Sequence, residues 1–454
     1  MTVLAVILAV LFMATGVALS IALHEVGHLV PAKRFGVRVP QYMVGFGPTM
    51  WSRHVGETEY GVKAVPLGGY VRMIGMYPPR PGDAEGTVRV SSTGRFSQLM
   101  DEARSASLQE LQPGDDNRVF YKLTVPRKLA VMLGGPTMNL LIAVVLMTFV
   151  LTAHGFQVAQ PGAVVAAVSE CVVPAAQAAT TTTCTTQPKT PAYLAGLKPG
   201  DSLVSINGQT LESTVDVGAL IRPRVGQATE IVLDRAGERL TVTATPIRNT
   251  LPQYDDQGNP VLDASGQPVT IETGFLGIQS APVLTYERQP LSAVPGELWN
   301  GMAQTAAAVV RVPERMVGVW QTVFAGEERS VDSPMSVVGV GRIAGEIGSG
   351  RYDALIGTSW VDKFFLLVSL LAGLNFMLFF FNLLPMLPLD GGHVVGALWE
   401  GLKRQVARLL SRPDPGYVDM TKGLPVAYVV SVFLIGMTLL LAWADLVAPI
   451  KLGG

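Results

Sequence analysis

Four stretches of this chain carry almost no charge: residues 1–23, 129–153, 364–389 and 424–444. Each is about 20 residues or longer, which is what a helix needs to cross the ~30 Å hydrocarbon core of a bilayer. That pattern excludes an ordinary soluble globule, a disordered chain, a collagen and a disulfide-stapled miniprotein. Composition agrees: 49% of the 454 residues are apolar and only 15% are charged, against about 25% charged in typical globular domains. The sequence predicts a polytopic α-helical membrane protein with four transmembrane helices and a large soluble part.

The net charge of −1 gives no handle for nucleic acid, and none is expected as a partner. The distribution of charge says more. Residues 30–130 hold 14 Lys and Arg against 9 Asp and Glu, whereas residues 154–360 hold 13 against 19. Basic pairs abut the apolar stretches at Lys33-Arg34, Arg127-Lys128 and Lys403-Arg404. By the positive-inside rule, 30–130 and 391–423 are expected in the cytoplasm. The 154–360 region and both termini are then expected outside. The first stretch lacks a basic n-region and runs directly into polar residues, so it reads as a retained helix rather than a cleaved leader. Both cysteines, Cys171 and Cys184, fall in the outer region. An oxidising compartment suggests that they pair into a disulfide; two free thiols in a Thr-rich insertion are the alternative.

Between the first two spans, runs near 40–48 and 60–75 are β-rich and punctuated by Gly and Pro, and read as hairpins. Residues 78–118 read as a polar loop with one short helix around 97–111. In the outer region, Ala195-Gly196-Leu197-Lys198-Pro199-Gly200-Asp201 leads into a strand and an Asn207-Gly208 hairpin turn. Strands are expected at 229–233 and 239–244. Together these resemble a PDZ domain, with a Thr-rich insertion over 171–190. A repeated pattern over 255–269 reads as two turns of a surface hairpin. Residues 297–323 have helical apolar spacing with too many polar groups to span, and are expected to lie on the outer membrane face. A Gly/Ser-rich turn over 331–350 leads back to the third span.

The chemistry begins at His24-Glu25-Val26-Gly27-His28, at the end of the first apolar stretch. Positions i and i+4 share a helix face, so both imidazoles can reach one metal ion. Glu25 lies about 100° around, close enough to take a proton from water without entering the ligand set. Charged groups at membrane depth cost about 2.5–3.5 kcal/mol each and are functional by default. The bland alternative is a helix that ends at Leu23, with an interfacial cluster beyond it. Catalytic zinc sites use three protein ligands, so a third is needed. The third span ends in Asn382-Leu383-Leu384-Pro385-Met386-Leu387-Pro388-Leu389-Asp390-Gly391. Its carboxylate, Asp390, is expected at the same cytoplasmic depth. His393 either orients that carboxylate or serves as a cap or surface group. Asn139 faces either the cavity or a neighbouring helix.

Taken together, the His24–His28 motif and the Asn382-x-x-Pro385-x-x-x-x-Asp390-Gly391 motif resemble the paired signature of the site-2 protease family of intramembrane zinc metalloproteases. Gly45-Phe46-Gly47-Pro48, Gly68-Gly69-Tyr70-Val71, Gly135-Pro136-x-x-Asn139 and the single PDZ-like module are similar to its bacterial RseP-type branch, in a one-PDZ, actinobacterial-like form. The resemblance covers nearly the whole chain. It implies one Zn2+ per chain held by His24, His28 and Asp390, with Glu25 as general base and later proton donor. Asn382, beside Pro385, would hold substrate backbone or the tetrahedral intermediate. Gly68, Gly69, Tyr70 and Val71 would form a membrane-reentrant edge that pairs with extended substrate.

The expected organisation is a first transmembrane helix over 1–28 and a cytoplasmic and reentrant β region with a loop over 29–128. A second transmembrane helix over 129–153 and an outer PDZ-like α+β domain over 158–280 follow. An amphipathic surface segment over 295–350, a third transmembrane helix over 361–390 and a fourth over 424–447 complete it. The implied protein sits in the bacterial plasma membrane, its active site toward the cytoplasm. Its implied substrate is a membrane-spanning protein such as a pre-trimmed anti-sigma factor. The PDZ-like module would either capture a peptide C-terminus or exclude untrimmed proteins. The rivals are a non-catalytic PDZ-bearing scaffold and a metal transporter; an intact Glu25 weighs against both.

Overall fold

The structure is a computed structural model that describes residues 2–79, 100, 105, 107, 109, 111–173, 184, 187–212, 216–253, 261, 263, 269–327, 329–330, 332–353 and 359–450. The short helix expected around 97–111 and the paired turns over 255–269 lie largely outside these residues. The chain divides into two compact units, Met1–His154 with Gln289–Gly454, and Gly155–Arg288.

Among the described residues, the first unit contains four helices long and apolar enough to cross a membrane. The opening helix α1 (Thr2–Arg34) runs without a break through His24–His28 and on to its basic end. The alternative of a helix ending at Leu23 is therefore excluded. Two strands follow, β1 (Gln41–Val55) and β2 (Thr58–Arg72), paired antiparallel. Bulges let β2 curl around its partner. Residues 41–44 pair with 59–62 on one side and with 69–72 on the other. The 69–72 ribbon is thus outermost, and its other edge pairs with no strand among the described residues. The Tyr42 hydroxyl donates to the Ala22 carbonyl at 2.7 Å and Lys33 donates to the Tyr60 hydroxyl at 2.9 Å, fixing the sheet to α1.

The second span, α2 (Val125–Ala153), crosses α1 with the two backbones in contact. A Cβ at Gly134 would stand 1.9 Å from the Gly27 carbonyl oxygen, and one at Gly27 would stand 2.3 Å from that of Gly134. Apolar helices gain little in lipid by burying against each other, so such small-residue contacts and buried polar bonds decide which helices associate.

The second unit is built on a sheet in the order β10-β3-β4-β6-β7, with β5 beside β4. Its strands are β3 (Phe156–Val168), β4 (Ser202–Ile206), β5 (Gln209–Thr210), β6 (Thr229–Arg235), β7 (Glu238–Ala244) and β10 (Ile278–Glu287). A separate hairpin pairs β8 (Ile247–Pro252) with β9 (Thr270–Phe275). Short helices α3 (Pro191–Leu194) and α4 (Val217–Ile221) cover a core that includes Val165, Leu203, Ile206, Ile231 and Leu233. Asn207 and Gly208 both have positive φ, 47° and 77°, as a type I′ hairpin turn requires. Asp201 is almost fully buried at the start of β4. The two hydrogen bonds it accepts from the Arg235 guanidinium hold its carboxyl below the usual carboxylate range. Cys171 and Cys184 are joined in a disulfide.

Back in the first unit, the amphipathic stretch is two helices, α5 (Val294–Val310) and α6 (Val312–Ala325). The Gly/Ser-rich turn expected over 331–350 is instead largely a helix, α7 (Val337–Ser349), capped by Ser336. Its glycines serve close packing rather than turning: a Cβ at Gly348 would come within 2.7 Å of the Ala5 carbonyl oxygen. Ser336 also anchors the last span, donating its backbone N–H and hydroxyl to buried Asp445 at 2.7 and 2.6 Å, with Arg329 paired to the same carboxylate at 2.7 Å.

The third span, α8 (Trp360–Asn382), ends eight residues earlier than the sequence suggested. Pro385 and Pro388 interrupt the apolar run, and a new helix, α9 (Asp390–Leu409), starts at the carboxylate itself. The last span is α10 (Leu424–Val447). One turn before His24, the Ser20 hydroxyl accepts from Asn375 at 3.0 Å, tying α8 to α1.

Candidate metal centre

Because α1 is continuous, His24 and His28 project from one face, with their ring centroids 4.9 Å apart. Asp390 reaches them from the first turn of α9. That turn is held by the chain folding back over it. A Cβ at Gly391 would lie 2.2 Å from the Leu384 carbonyl oxygen, and one at Gly392 would lie 2.7 Å from the Leu387 nitrogen. Both positions after the aspartate must therefore lack a side chain.

The three donor atoms form a nearly equilateral triangle. The two Nε2 atoms are 3.2 Å apart, and Asp390 Oδ2 is 3.3 Å from each. Ligands about 2.0–2.1 Å from a tetrahedral zinc stand about 3.3 Å from one another. The spacing fits that ion. Asp390 Oδ2 is also buried without a hydrogen-bond partner among the described residues, as suits an oxygen aimed at a cation. Among the described residues this is the His/Cys/Asp/Glu group whose donors converge.

The surroundings come from α2. His28 Nδ1 lies 2.8 Å from the Val131 carbonyl oxygen, which makes it the protonated nitrogen and leaves Nε2 free to ligate. Gly135 follows one turn later. A Cβ there would stand 2.2 Å from His28 Nε2 and 2.7 Å from His24 Nε2, so only glycine leaves room for both rings. Asn139, one turn further, places its amide 3.1 Å from His24 Nδ1.

A cavity of about 320 Å³ opens beside the triangle, lined among others by Glu25, Tyr70, Val71, Asn382 and His393. Glu25 turns toward the β edge: a Cβ at Gly69 would meet its Cγ at 2.9 Å. Gly68, Gly69, Tyr70 and Val71 do not share one environment. Gly68, at φ 125°, packs against Phe46, while the next three line the cavity. Pro385 is exposed in the turn after α8 and is not among the cavity-lining residues; Pro388 is. His393 lines the cavity, with no hydrogen bond to Asp390 among the described residues. Sequence reasoning missed Met73, Met132 and the Val131 carbonyl. A backbone acceptor and two apolar side chains leave no local signal.

Helix α9 is pinned from below. Lys128 on α2 and Glu400 on α9 form a buried ion pair at 2.7 Å, and Arg404 reaches the same carboxylate at 3.1 Å. Removing one partner of a buried pair strands the other charge, at about 3–5 kcal/mol. Glu400→Ala is expected to destabilise the protein by about that much in thermal unfolding. Pairing it with Lys128→Met should recover most of the loss, and no recovery would show that the pair is not what holds α9 in place.

Two imidazoles from the apolar helix α1 and a carboxylate from α9, with a glutamate alongside, are the donor set and base that a metallohydrolase requires. The chain belongs to Peptidase family M50, whose match spans residues 12–411. It is 33% identical over 448 residues to the "Zinc metalloprotease Rip1" of Mycobacterium bovis, covering 98% of each chain. It is also 33% identical over 451 residues to the protein of the same name from Mycobacterium tuberculosis, again over 98% of each. The "Metalloprotease MmpA" of Caulobacter vibrioides is 27% identical over 439 residues, 94% of this chain and 92% of that one. The protein is thus an intramembrane metalloendopeptidase with Zn2+ as its cofactor, acting on membrane-protein substrates within a lipid bilayer.

Proposed function

We propose that His24, His28 and Asp390 hold the zinc and that Glu25 is the general base of peptide hydrolysis at this centre. The observation that carries the assignment is the donor triangle with edges of 3.2–3.3 Å. When bound, zinc lowers the pKa of water toward neutrality and polarises the scissile carbonyl. Glu25 accepts the proton of the attacking water and returns it to the departing amine. Asn382, which lines the same cavity, donates to the substrate carbonyl oxygen or backbone. A helical scissile bond is shielded by its own i→i−4 hydrogen bonds, so the substrate must unwind before it is cut. The 69–72 ribbon, with one edge unpaired by strands, offers replacement hydrogen bonds to an extended segment, which delivers its carbonyl beside Glu25.

The basic pairs beside the spans support a plasma-membrane orientation with the metal centre toward the cytoplasmic side and the 155–288 unit outside, where its disulfide can persist. We read that unit as a PDZ-like domain. A groove of about 220 Å³ beside α4, lined by Val217, Ile221, Arg222, Phe275 and Ile278, suits a peptide C-terminus added to the edge of β10 that pairs with no strand among the described residues. The substrate class that fits is a single-span protein already trimmed outside, such as an anti-sigma factor.

Purified protein with zinc, given single-span substrates of graded outer length, should cut short-tailed substrates within or next to the span. Cleavage confined to soluble unfolded chains, or equal rates at every outer length, would contradict this reading.

A further inference from the structure

Asn139 is almost fully buried, and its amide nitrogen lies 3.1 Å from His24 Nδ1, while its Oδ1 has no hydrogen-bond partner among the described residues. That arrangement conflicts with the rest of the site. An amide N–H donated to Nδ1 makes Nδ1 the acceptor and puts the ring proton on Nε2, the atom that faces Asp390 and His28. A protonated Nε2 has no lone pair for a metal. It also leaves the amide oxygen buried and unsatisfied, which native structures rarely tolerate.

Exchanging the two arms of the amide resolves both conflicts at once. The oxygen and nitrogen of an Asn side chain are nearly isosteric, and their assignment follows from their partners. With Oδ1 toward His24, the amide oxygen accepts the Nδ1–H and Nε2 is left to ligate. This matches what the Val131 carbonyl does for His28. Residues 131, 135 and 139 lie four apart on one face of α2, so a single helical stripe orients one ligand, makes room for both, and orients the other.

We propose that Asn139 is a positioning residue for the metal centre. Its carboxamide oxygen accepts the His24 Nδ1 proton, fixing the tautomer in which Nε2 faces the ion. The inference rests on the ligand set proposed above.

The test compares Asn139→Asp and Asn139→Leu with the wild type as full-length protein in detergent. Zinc affinity is read by chelator competition, and the ring tautomer by 15N-histidine NMR of the metal-free protein. Asn139→Asp keeps an acceptor and removes the donor, so its zinc affinity should stay near that of the wild type, with His24 protonated on Nδ1. Asn139→Leu keeps the bulk and removes the acceptor, and should weaken zinc binding by about 10–100-fold. A folded Asn139→Asp protein that loses zinc would overturn the proposal, because a donor would then be what His24 needs. So would an Asn139→Leu protein that binds zinc as tightly as the wild type. If the wild type itself takes up no zinc, the ligand assignment fails and this inference with it; zinc in the wild type but not in Asn139→Asp defeats this inference alone.

Discussion

Glu25→Gln should bind zinc as the wild type does and cleave substrate at least about 10²–10⁴-fold more slowly, the usual contribution of a positioned general base. Gln has nearly the same shape, so the packing of Glu25 against the Gly69 backbone survives. The three donor atoms proposed to hold the metal belong to other residues and keep their spacing. Only the capacity to take a proton is lost. Rates are read on a single-span substrate in detergent, with zinc content measured on the same preparation. Zinc-replete protein that still cleaves at near wild-type rate would remove Glu25 from the mechanism.

Gly135→Ala tests the site from the side of α2, and here the metal itself should be lost. The added Cβ would sit 2.2 Å from His28 Nε2 and 2.7 Å from His24 Nε2, well inside contact distance. Neither helix can retreat easily, because the α1 and α2 backbones already touch at Gly27 and Gly134. The His28 ring is further fixed by the Val131 carbonyl. Alanine favours a helix over glycine by about 0.5–1 kcal/mol, so α2 as a helix should gain. The expected result is a folded protein with zinc affinity reduced on the order of 100-fold or more and no cleavage, since even indirect ligand perturbations cost 10–100-fold. Normal zinc binding in Gly135→Ala would mean that the imidazoles are placed otherwise than described. The two variants separate cleanly: one loses chemistry with metal in place, the other loses metal.

What the sequence could reveal was set by how local each signal is. The four spans were readable because lipid demands about 20 apolar residues in a row. The meeting of His24 and His28, whose Nε2 atoms lie 3.2 Å apart, was readable because a helix converts i, i+4 spacing into a shared face. That Asp390 would join them was suggested by a motif resemblance, and its Oδ2 lies 3.3 Å from both Nε2 atoms. Glycine misled where it served packing. The 337–349 stretch looked like a turn and is a helix lying close against α1. The apolar run through 389 hid the break at Asn382, after which Asp390 opens a helix of its own. Nothing in the sequence marks the Val131 carbonyl as a partner for His28, since every residue has such a group and only tertiary packing selects one. Gly135 and Asn139 were visible as residues, but their purpose depends on a helix crossing that no local pattern encodes.

The most direct measurement is zinc K-edge X-ray absorption on the purified wild type, with zinc content compared in Asp390→Ala. The account predicts one zinc per chain, bound by two imidazole nitrogens and oxygen at about 2.0–2.1 Å with no sulfur, and its loss when Asp390 is replaced. A full complement of zinc with an unchanged spectrum in Asp390→Ala would contradict it.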